Sequence, residues 1–182
     1  RYCKLEIPPM NPVRPRPVPA AFAATVLVGC GQSATETAVL PLEINQGTSC
    51  SLDGMLLADY PGPKAQIHYA GQAEPDYFCD TVEMFHMFLN PEQVRVVRGI
   101  FVQDMGKADW DQPRDHWIDA KTAYYVHGSK RLGSMGPTIA SFALEKDATQ
   151  FAAKHGGKLF RFAEITPDMV VLDGGALHDK SM

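Results

Sequence analysis

One order of elements occurs twice along this chain, and the repetition is the strongest constraint on its fold. From residue 64, KAQIHYAG and PDYFC have the length and apolar content of strands, DTVEMFHMFLN that of a helix, and RVVRGIFVQDM that of a strand. From residue 121, KTAYYVHGS, PTIASFAL, DATQFAAKHG and GKLFRFAEIT follow in the same order. The sequence therefore predicts two similar ββαβ halves.

Local signals mark both predicted helices. Asp80 with Glu83, and Asp147 with Gln150, have the three-residue spacing of an N-cap and its reciprocal partner. Residues 156–157, two glycines, provide a left-handed C-terminal cap for the second helix. Each half therefore contains one short helix with defined ends.

The predicted fold class is α+β, with the two ββαβ halves packed together. We assign the first half to residues 48–109 and the second to residues 110–182. Halves of about 60 residues are near the lower limit for independent folding, so we expect one packed unit. The polar segment GKADWDQPRDHWIDA between the repeats is typical of a linker with two anchoring tryptophans.

The N-terminus differs in kind from the rest. Residues 1–29 combine four basic residues, a proline-rich stretch and the short apolar run AFAATVLVG, the pattern of a bacterial secretory signal. The run ends in LVGC, which resembles a lipobox, so we expect Cys30 to be lipidated and to become the mature N-terminus. The polar residues 30–47 are then expected to form a flexible tether.

The net charge and the distribution of basic residues limit the kinds of partner that the protein can bind. Four of the 17 basic and one of the 21 acidic residues lie in residues 1–29, which leaves 13 basic, 20 acidic and a net charge of −7 after processing. Nucleic-acid binding requires clustered Lys and Arg, and the longest basic cluster after the N-terminus is Lys130-Arg131. The sequence therefore predicts no nucleic-acid partner.

Two cysteines remain in the predicted folded part, Cys50 and Cys79. In an oxidising compartment they can pair as one disulfide, and composition slightly favours that outcome. Alternatively, a soft metal ion holds at least one of them as a thiolate. Cys79 can equally be a small buried residue, and the sequence leaves these interpretations open.

A loop rich in soft ligands favours metal capture. Cys50 and Met55 supply a thiolate and a thioether, and Gly54 lets the backbone turn between them. Cu(I) prefers such ligands and accepts low coordination numbers, whereas zinc sites use four Cys and His ligands. Met135 lies between glycines in GSMGP, where local packing does not explain it. The candidate ligands from the residues alone are therefore Cys50, Met55 and Met135, with His127 as a weaker one.

These segments carry a family resemblance. CSLDGM, DYPGPKAQI, YYVHGSKRLGSMGPTIASFA and FAAKHGGKLFRFAEIT resemble the NosL family of accessory lipoproteins of the nitrous oxide reductase system. The resemblance covers most of the chain after residue 48, in the family's order and behind the lipobox. The first half is also similar to a broader metal-associated pattern, CGM followed by YYFCS, but has Asp53 in place of a second Cys, which disfavours a four-cysteine zinc site.

The resemblance implies a periplasmic Cu(I) chaperone, lipid-anchored to the membrane, that supplies copper for the copper-sulfide centre of nitrous oxide reductase. Its implied partners are the membrane-bound maturation machinery and the reductase itself. Carried over by motif, the implied Cu(I) ligands are Cys50 and Met55, with Met135 as the third and Asp53 or His127 as weaker ones. No catalytic turnover is expected. Two other classes stay open: an enzyme acting on metal–carbon bonds through Cys50, Cys79 and Asp53, and a disulfide-stapled interaction lipoprotein without metal.

Overall fold

The computed structural model describes residues 38–172. The first part of this region contains, in chain order, β1 (Ala65–Tyr69), β2 (Asp76–Phe78), α1 (Thr81–Leu89), β3 (Val97–Gln103) and β4 (Trp117–Asp119). The second part contains β5 (Tyr124–His127), β6 (Leu132–Gly133), β7 (Gly136–Pro137), β8 (Ala140–Phe142), α2 (Glu145–His155) and β9 (Lys158–Arg161). The predicted signal peptide, Cys30 and residues 173–182 lie outside the described range. Within it, neither helix has the length and apolar content needed to cross a bilayer.

The strands form antiparallel sheets, which confirms the predicted α+β class. The first sheet has the order β2-β1-β3-β4, and the second has the order β8-β5-β9. In each, the first strand of the repeat lies between the second and the last, as the pairing of β1 with both β2 and β3 shows. This equivalence is consistent with two related ββαβ halves. The second half also contains an inserted hairpin, β6–β7.

Helix α1 is held in a core to which both sheets contribute. All five residues of β1 are buried, so both faces of this central strand are covered. Phe85 of α1 packs its ring against Tyr125 of β5 and against Phe162, with centroid separations of 5.1 and 5.2 Å. Met84 is fully buried beside it, and Met87 packs at the margin of the same core. This packing fixes the position of the helix N-terminus.

Helix α2 begins earlier than predicted. Its first residue is Glu145, the N-cap is Leu144, and no side chain caps the helix, so the assignment of Asp147 as N-cap is wrong. The reason is that the Leu144 carbonyl already accepts the amides of Asp147 and Ala148, which places Asp147 inside the first turn. The C-terminal prediction is confirmed, because Gly156 has φ of +79° and its amide closes the last turn.

Two segments predicted as connectors are ordered parts of the domain. Strand β4 lies within the expected linker and pairs with β3, so the first sheet extends past the boundary placed at residue 110. The described end of the expected tether also differs from the prediction. The backbone of Leu42 exchanges two 2.9 Å hydrogen bonds with the Gln66 amide, and Ile44 is buried in a cluster with Cys50. Apolar burial at Ile44 outweighs the polar composition around it.

Candidate metal site

The loop that carries Cys50 is closed by its own backbone. The Cys50 amide donates to the Met55 carbonyl at 2.8 Å, and the Gly54 amide donates to the Cys50 carbonyl at 2.9 Å. Gly54 has φ of +80°, a conformation that glycine adopts without strain. The Asp53 carboxylate accepts the Met55 amide at 2.9 Å, which stabilises the turn further. The loop therefore has a defined shape, as the Gly between Cys and Met indicated.

Contacts outside the loop fix its position on the first sheet. The Ser51 amide donates to the Tyr77 carbonyl at 2.7 Å, and the Ser51 hydroxyl accepts the Tyr77 amide at 3.1 Å. Tyr77 belongs to β2, so the loop extends the edge of this sheet. The Leu52 amide points at the Cys50 sulfur at 3.4 Å, a donor placed to stabilise a thiolate. The Cys50 side chain consequently faces the end of β2 and the start of α1.

Cys79 and Glu83 meet Cys50 from the N-terminal end of α1. The Cys50 sulfur lies 3.3 Å from Glu83 Oε2, and the Cys79 sulfur lies 3.3 Å from the same oxygen. All three residues are buried, and both cysteines are free thiols in this structure. The carboxylate that was predicted to cap α1 instead lies between two sulfur atoms.

Together with Asp53, these residues form a four-residue group that can hold a metal ion. One potential ligand atom from each of Cys50, Asp53, Cys79 and Glu83 lies within 4.8 Å of the other three. Met55 is half-buried and packs against the apolar cluster that contains both cysteines, so its thioether belongs to the same region. The arrangement combines soft sulfur donors with harder carboxylates on one side of the first sheet.

The proton affinities of the group are strongly perturbed. A hydrogen bond from the Cys79 thiol lowers the pKa of Cys50 to about 6. The same interaction, together with burial, raises the pKa of Cys79 well above its ordinary value. Burial is also the main cause that raises the pKa of Glu83 to about 7. The lowered pKa of Cys50 favours its thiolate, the form in which sulfur binds metals.

The hairpin β6–β7 of the second half packs over the start of α1. The Ser134 hydroxyl donates to the Cys79 carbonyl at 2.8 Å, and the Thr138 hydroxyl donates to Asp80 Oδ1 at 2.7 Å. Gly133 approaches so closely that a Cβ there would collide with Asp80 Oδ2. Met135 occupies the hairpin turn next to Ser134 and is 44% exposed. The structure thus places this predicted ligand one residue from a direct contact of Cys79.

His127 lies elsewhere in the second sheet. It ends β5, where its ring packs edge-on against Phe160 with centroids 6.2 Å apart. It is not among the four clustered residues. Of the sequence-predicted ligands, the structure brings Cys50, Asp53 and Met55 together, positions Met135 on the adjoining hairpin and separates His127 from the group.

The ligands predicted from the sequence do not include Glu83, and Cys79 stays undecided among them. Glu83 lies three residues after Asp80, a spacing that a capping box explains. Because this structural role accounts for the residue, the sequence did not suggest that it is a ligand. The available signal was the closeness in sequence of Cys79 and Glu83, a thiol and a carboxylate on either side of the predicted N-cap Asp80. A metal-binding interpretation of that pair would have included both residues.

Known proteins resemble this chain over most of its length. The NosL family profile matches residues 41–170. The copper-binding lipoprotein NosL of Stutzerimonas stutzeri is 37% identical over 167 residues, covering 88% of this chain and 86% of the relative. The NosL of Achromobacter cycloclastes, named likewise, is 36% identical over 162 residues, covering 87% and 83%.

A solved structure agrees with these sequence relationships. The crystal structure of the copper chaperone NosL from Shewanella denitrificans superimposes with a TM-score of 0.68 at 40% identity. It is matched over 71% of this chain and 97% of its own. The fold, the sequence relatives and the family profile agree, and the chain belongs to the NosL family.

Proposed function

We propose that this protein is a periplasmic Cu(I) chaperone, lipid-anchored at Cys30, that supplies copper for the copper-sulfide centre of nitrous oxide reductase. The observation that carries the proposal is the convergence of Met55 and two free thiols, one with a pKa lowered to about 6. The names of the relatives, copper-binding lipoprotein and copper chaperone, support the same assignment.

The ligands proposed for Cu(I) are the Cys50 thiolate and the Met55 thioether, with Met135 as the third. Cu(I) is soft and accepts two or three such ligands. Because Cys79 retains its proton more strongly than Cys50, its sulfur joins the ion only when a proton leaves the group. Asp53 remains a weaker candidate, and His127 is the weakest because it lies outside the group.

Transfer of the ion requires that the ligands can be exchanged. The loop residues Leu52 and Leu56 are each 40% exposed, and Met135 is 44% exposed, so a partner can approach the site from solvent. An incoming Met, Cys or His adds to the ion before the donor ligands leave, so no free ion is released. The acidic balance of the chain helps to attract a basic face of the partner.

The proposed partners are the membrane-bound maturation machinery of nitrous oxide reductase and the reductase itself. Lipidation of Cys30 keeps the chaperone at the membrane, where that machinery is located. No turnover of a substrate is expected, since the ion enters and leaves without a chemical change.

The decisive experiment is a competition titration of the reduced full chain with Cu(I) and a chromophoric chelator. We expect one equivalent to bind tightly in the parent and to be lost or weakened at least about tenfold in Cys50→Ser and Met55→Ala. His127→Ala is the matched control and retains parental affinity. A parent that does not compete for copper, or a Cys50→Ser variant with unchanged affinity, contradicts the proposal.

A second candidate function is favoured by one specific observation. Cleavage of a metal–carbon bond needs two thiols and a carboxylate, and Cys50, Cys79 and Asp53 lie within 4.8 Å of one another. In that reaction the thiolates bind the metal, a proton is transferred to carbon, and the hydrocarbon leaves. Incubation with an organomercurial tests it: release of hydrocarbon with turnover supports the enzyme, and stoichiometric mercury capture without hydrocarbon rejects it.

A further inference from the structure

Lys64 places a buried ammonium group behind the candidate metal site. Its residue exposure is 0%, which is rare for lysine unless the charge has partners. The Nζ atom donates hydrogen bonds to the carbonyl oxygens of Cys79 and Pro61, each at 3.0 Å. The backbone amide of Lys64 is held as well, by Gln103 Oε1 at 3.0 Å. The ammonium is therefore fixed against the main chain of a cysteine in the site.

The groups around Lys64 are acidic and belong to the site or adjoin it. Burial lowers the pKa of Lys64 to about 8, and the nearby Asp80, Cys79, Glu83 and Cys50 oppose this decrease, in that order of size. Two carbonyl acceptors at 3.0 Å and these acidic neighbours are the surroundings of an ammonium group. The site thus has one built-in cation beside its thiols and carboxylates.

A fixed positive charge affects cations according to their own charge. The Coulomb energy is proportional to the product of the two charges, so the repulsion of a divalent ion is twice that of a monovalent ion at the same position. Desolvation in the interior strengthens this difference relative to a charge on the surface. A buried lysine beside a metal site therefore changes the relative affinities of ions, beyond any effect on the fold.

We propose that Lys64 is a specificity-determining residue, which biases the adjoining site toward a monovalent soft ion and against divalent ions such as Zn(II). The inference rests on the proposed Cu(I) function and explains how the site avoids a competing ion that also binds thiolates and carboxylates. Asp80 is the matching negative charge: it is buried, it acts on Lys64, and it is not among the four clustered residues.

Two substitutions of opposite sign test the inference. Lys64→Met removes the positive charge and keeps the length of the side chain. Asp80→Asn removes a negative charge and retains acceptors for the Val82 amide and the Thr138 hydroxyl, which bind Asp80 Oδ1 at 2.9 and 2.7 Å. The measurement is the ratio of the association constants for Zn(II) and Cu(I), each obtained by competition with a chromophoric chelator on the reduced full chain at neutral pH.

We expect the Zn(II)-to-Cu(I) ratio to rise about tenfold in Lys64→Met and to fall in Asp80→Asn. If Lys64 only stabilises the fold, its loss weakens the binding of both ions to the same extent and leaves the ratio of association constants unchanged. Ratios equal to the parental one, or shifts in the same direction in both variants, overturn the inference. If circular dichroism shows that Lys64→Met is unfolded, Asp80→Asn decides: a lower ratio supports the inference and an unchanged ratio overturns it.

The failure of this inference is distinguishable from the failure of the proposed function. A parent that does not bind Cu(I) overturns both. A parent that binds Cu(I) tightly, with a ratio insensitive to both charges, overturns only the role of Lys64.

Discussion

The two helices of this protein begin with similar spacing of polar residues, but their N-termini lie in different surroundings. Helix α1 starts from Asp80, whose carboxylate accepts the Val82 amide, and buries Glu83 in the protein. Helix α2 starts from Leu144, a 55% exposed residue, and has no side-chain cap. Of the described residues in α2, Ala148 alone is fully buried. The candidate site occupies the start of α1, and within residues 38–172 no equivalent group lies at the start of α2.

The difference shows how a structural motif can conceal a functional one. In α1, the residue three positions after the N-cap places its carboxylate between Cys50 and Cys79. In α2, Gln150, which follows Asp147 by the same three residues as Glu83 follows Asp80, is exposed. Burial of the helix start by the hairpin and the Cys50 loop makes an ordinary capping sequence part of the candidate metal site. Four predictions test this comparison, from the largest expected effect to the smallest.

Removal of the α1 cap is expected to have the largest effect. Asp80→Ala deprives the Val82 amide and the buried Thr138 hydroxyl of their acceptor, so the free energy of unfolding should fall by about 3 kcal/mol. Asp147→Ala, the counterpart in α2, should change it by less than about 0.5 kcal/mol. Urea denaturation below the raised Asp80 pKa of about 6 measures both. Equal losses in the two variants would refute the contrast between the helices.

The second prediction concerns the pH dependence of stability. Because burial raises the pKa of Glu83 from 4.5 to about 7, the native state retains a proton that the unfolded state has lost between these values. Stability from this group is therefore lost as pH rises from 4.5 to 7. Glu83→Gln should remove about 2 kcal/mol of that pH-dependent decrease.

The matched control is Gln150→Glu, which introduces a carboxylate at the exposed position of α2. Its free energy of unfolding should follow the parental pH profile, as measured by denaturation at a series of pH values. A Glu83→Gln profile parallel to that of the parent would show that the Glu83 carboxyl is not perturbed by its burial.

The third prediction addresses the residue immediately before the α1 cap. Cys79→Ala removes the hydrogen bond that contributes most to the low pKa of Cys50. The pKa of Cys50 should then rise from about 6 by about one unit, equivalent to about 1.4 kcal/mol. The rate of alkylation of the Cys50 peptide as a function of pH, followed by mass spectrometry, measures the change. Cys79→Ser keeps a hydrogen-bond donor, so the pKa of Cys50 should stay near its parental value. An unchanged pH dependence of alkylation in Cys79→Ala would show that this hydrogen bond does not lower the pKa of Cys50.

The smallest effect is expected at the helix C-termini. Gly156 ends α2 with φ of +79°, and a Cβ at this position would meet open space, so Gly156→Ala should destabilise the protein by about 1 kcal/mol through backbone strain alone. Asn90, with φ of −61° at the end of α1, requires no such conformation. Asn90→Ala should change stability by a few tenths of that amount, and thermal unfolding compares the two. A larger loss at Asn90 would reverse this comparison.

Much of the fold was predictable because its signals are local. The apolar runs of β1, β3 and β5 and the C-terminal stop of α2 are readable from neighbouring residues. The short strand β4 and the hairpin β6–β7 were missed as elements. Each of them depends on pairing or packing with distant residues, which overrides weak local preferences.

Of the candidate site, only the residues of the Cys50 loop were predictable from the sequence. Cys50, Asp53 and Met55 share one loop, and their chemistry is visible within six consecutive residues. Glu83 and Cys50 are 33 positions apart, and their 3.3 Å contact exists only because the loop pairs with β2 next to the start of α1. Such a contact is set by topology, and no periodicity in the sequence encodes it.

The packing of the hairpin β6–β7 on the start of α1 bears on the stage of folding at which the candidate metal site is completed. Ser134 and Thr138 contact Cys79 and Asp80 across 55 and 58 positions of chain. Contacts of this separation form late, because closing a long loop is unfavourable until native pairing compensates for it. The thiols therefore gain their final surroundings only after the second sheet has formed. Under the proposed function, metal loading is thus restricted to molecules that have finished folding, because a half-folded chain has not yet assembled the proposed ligands.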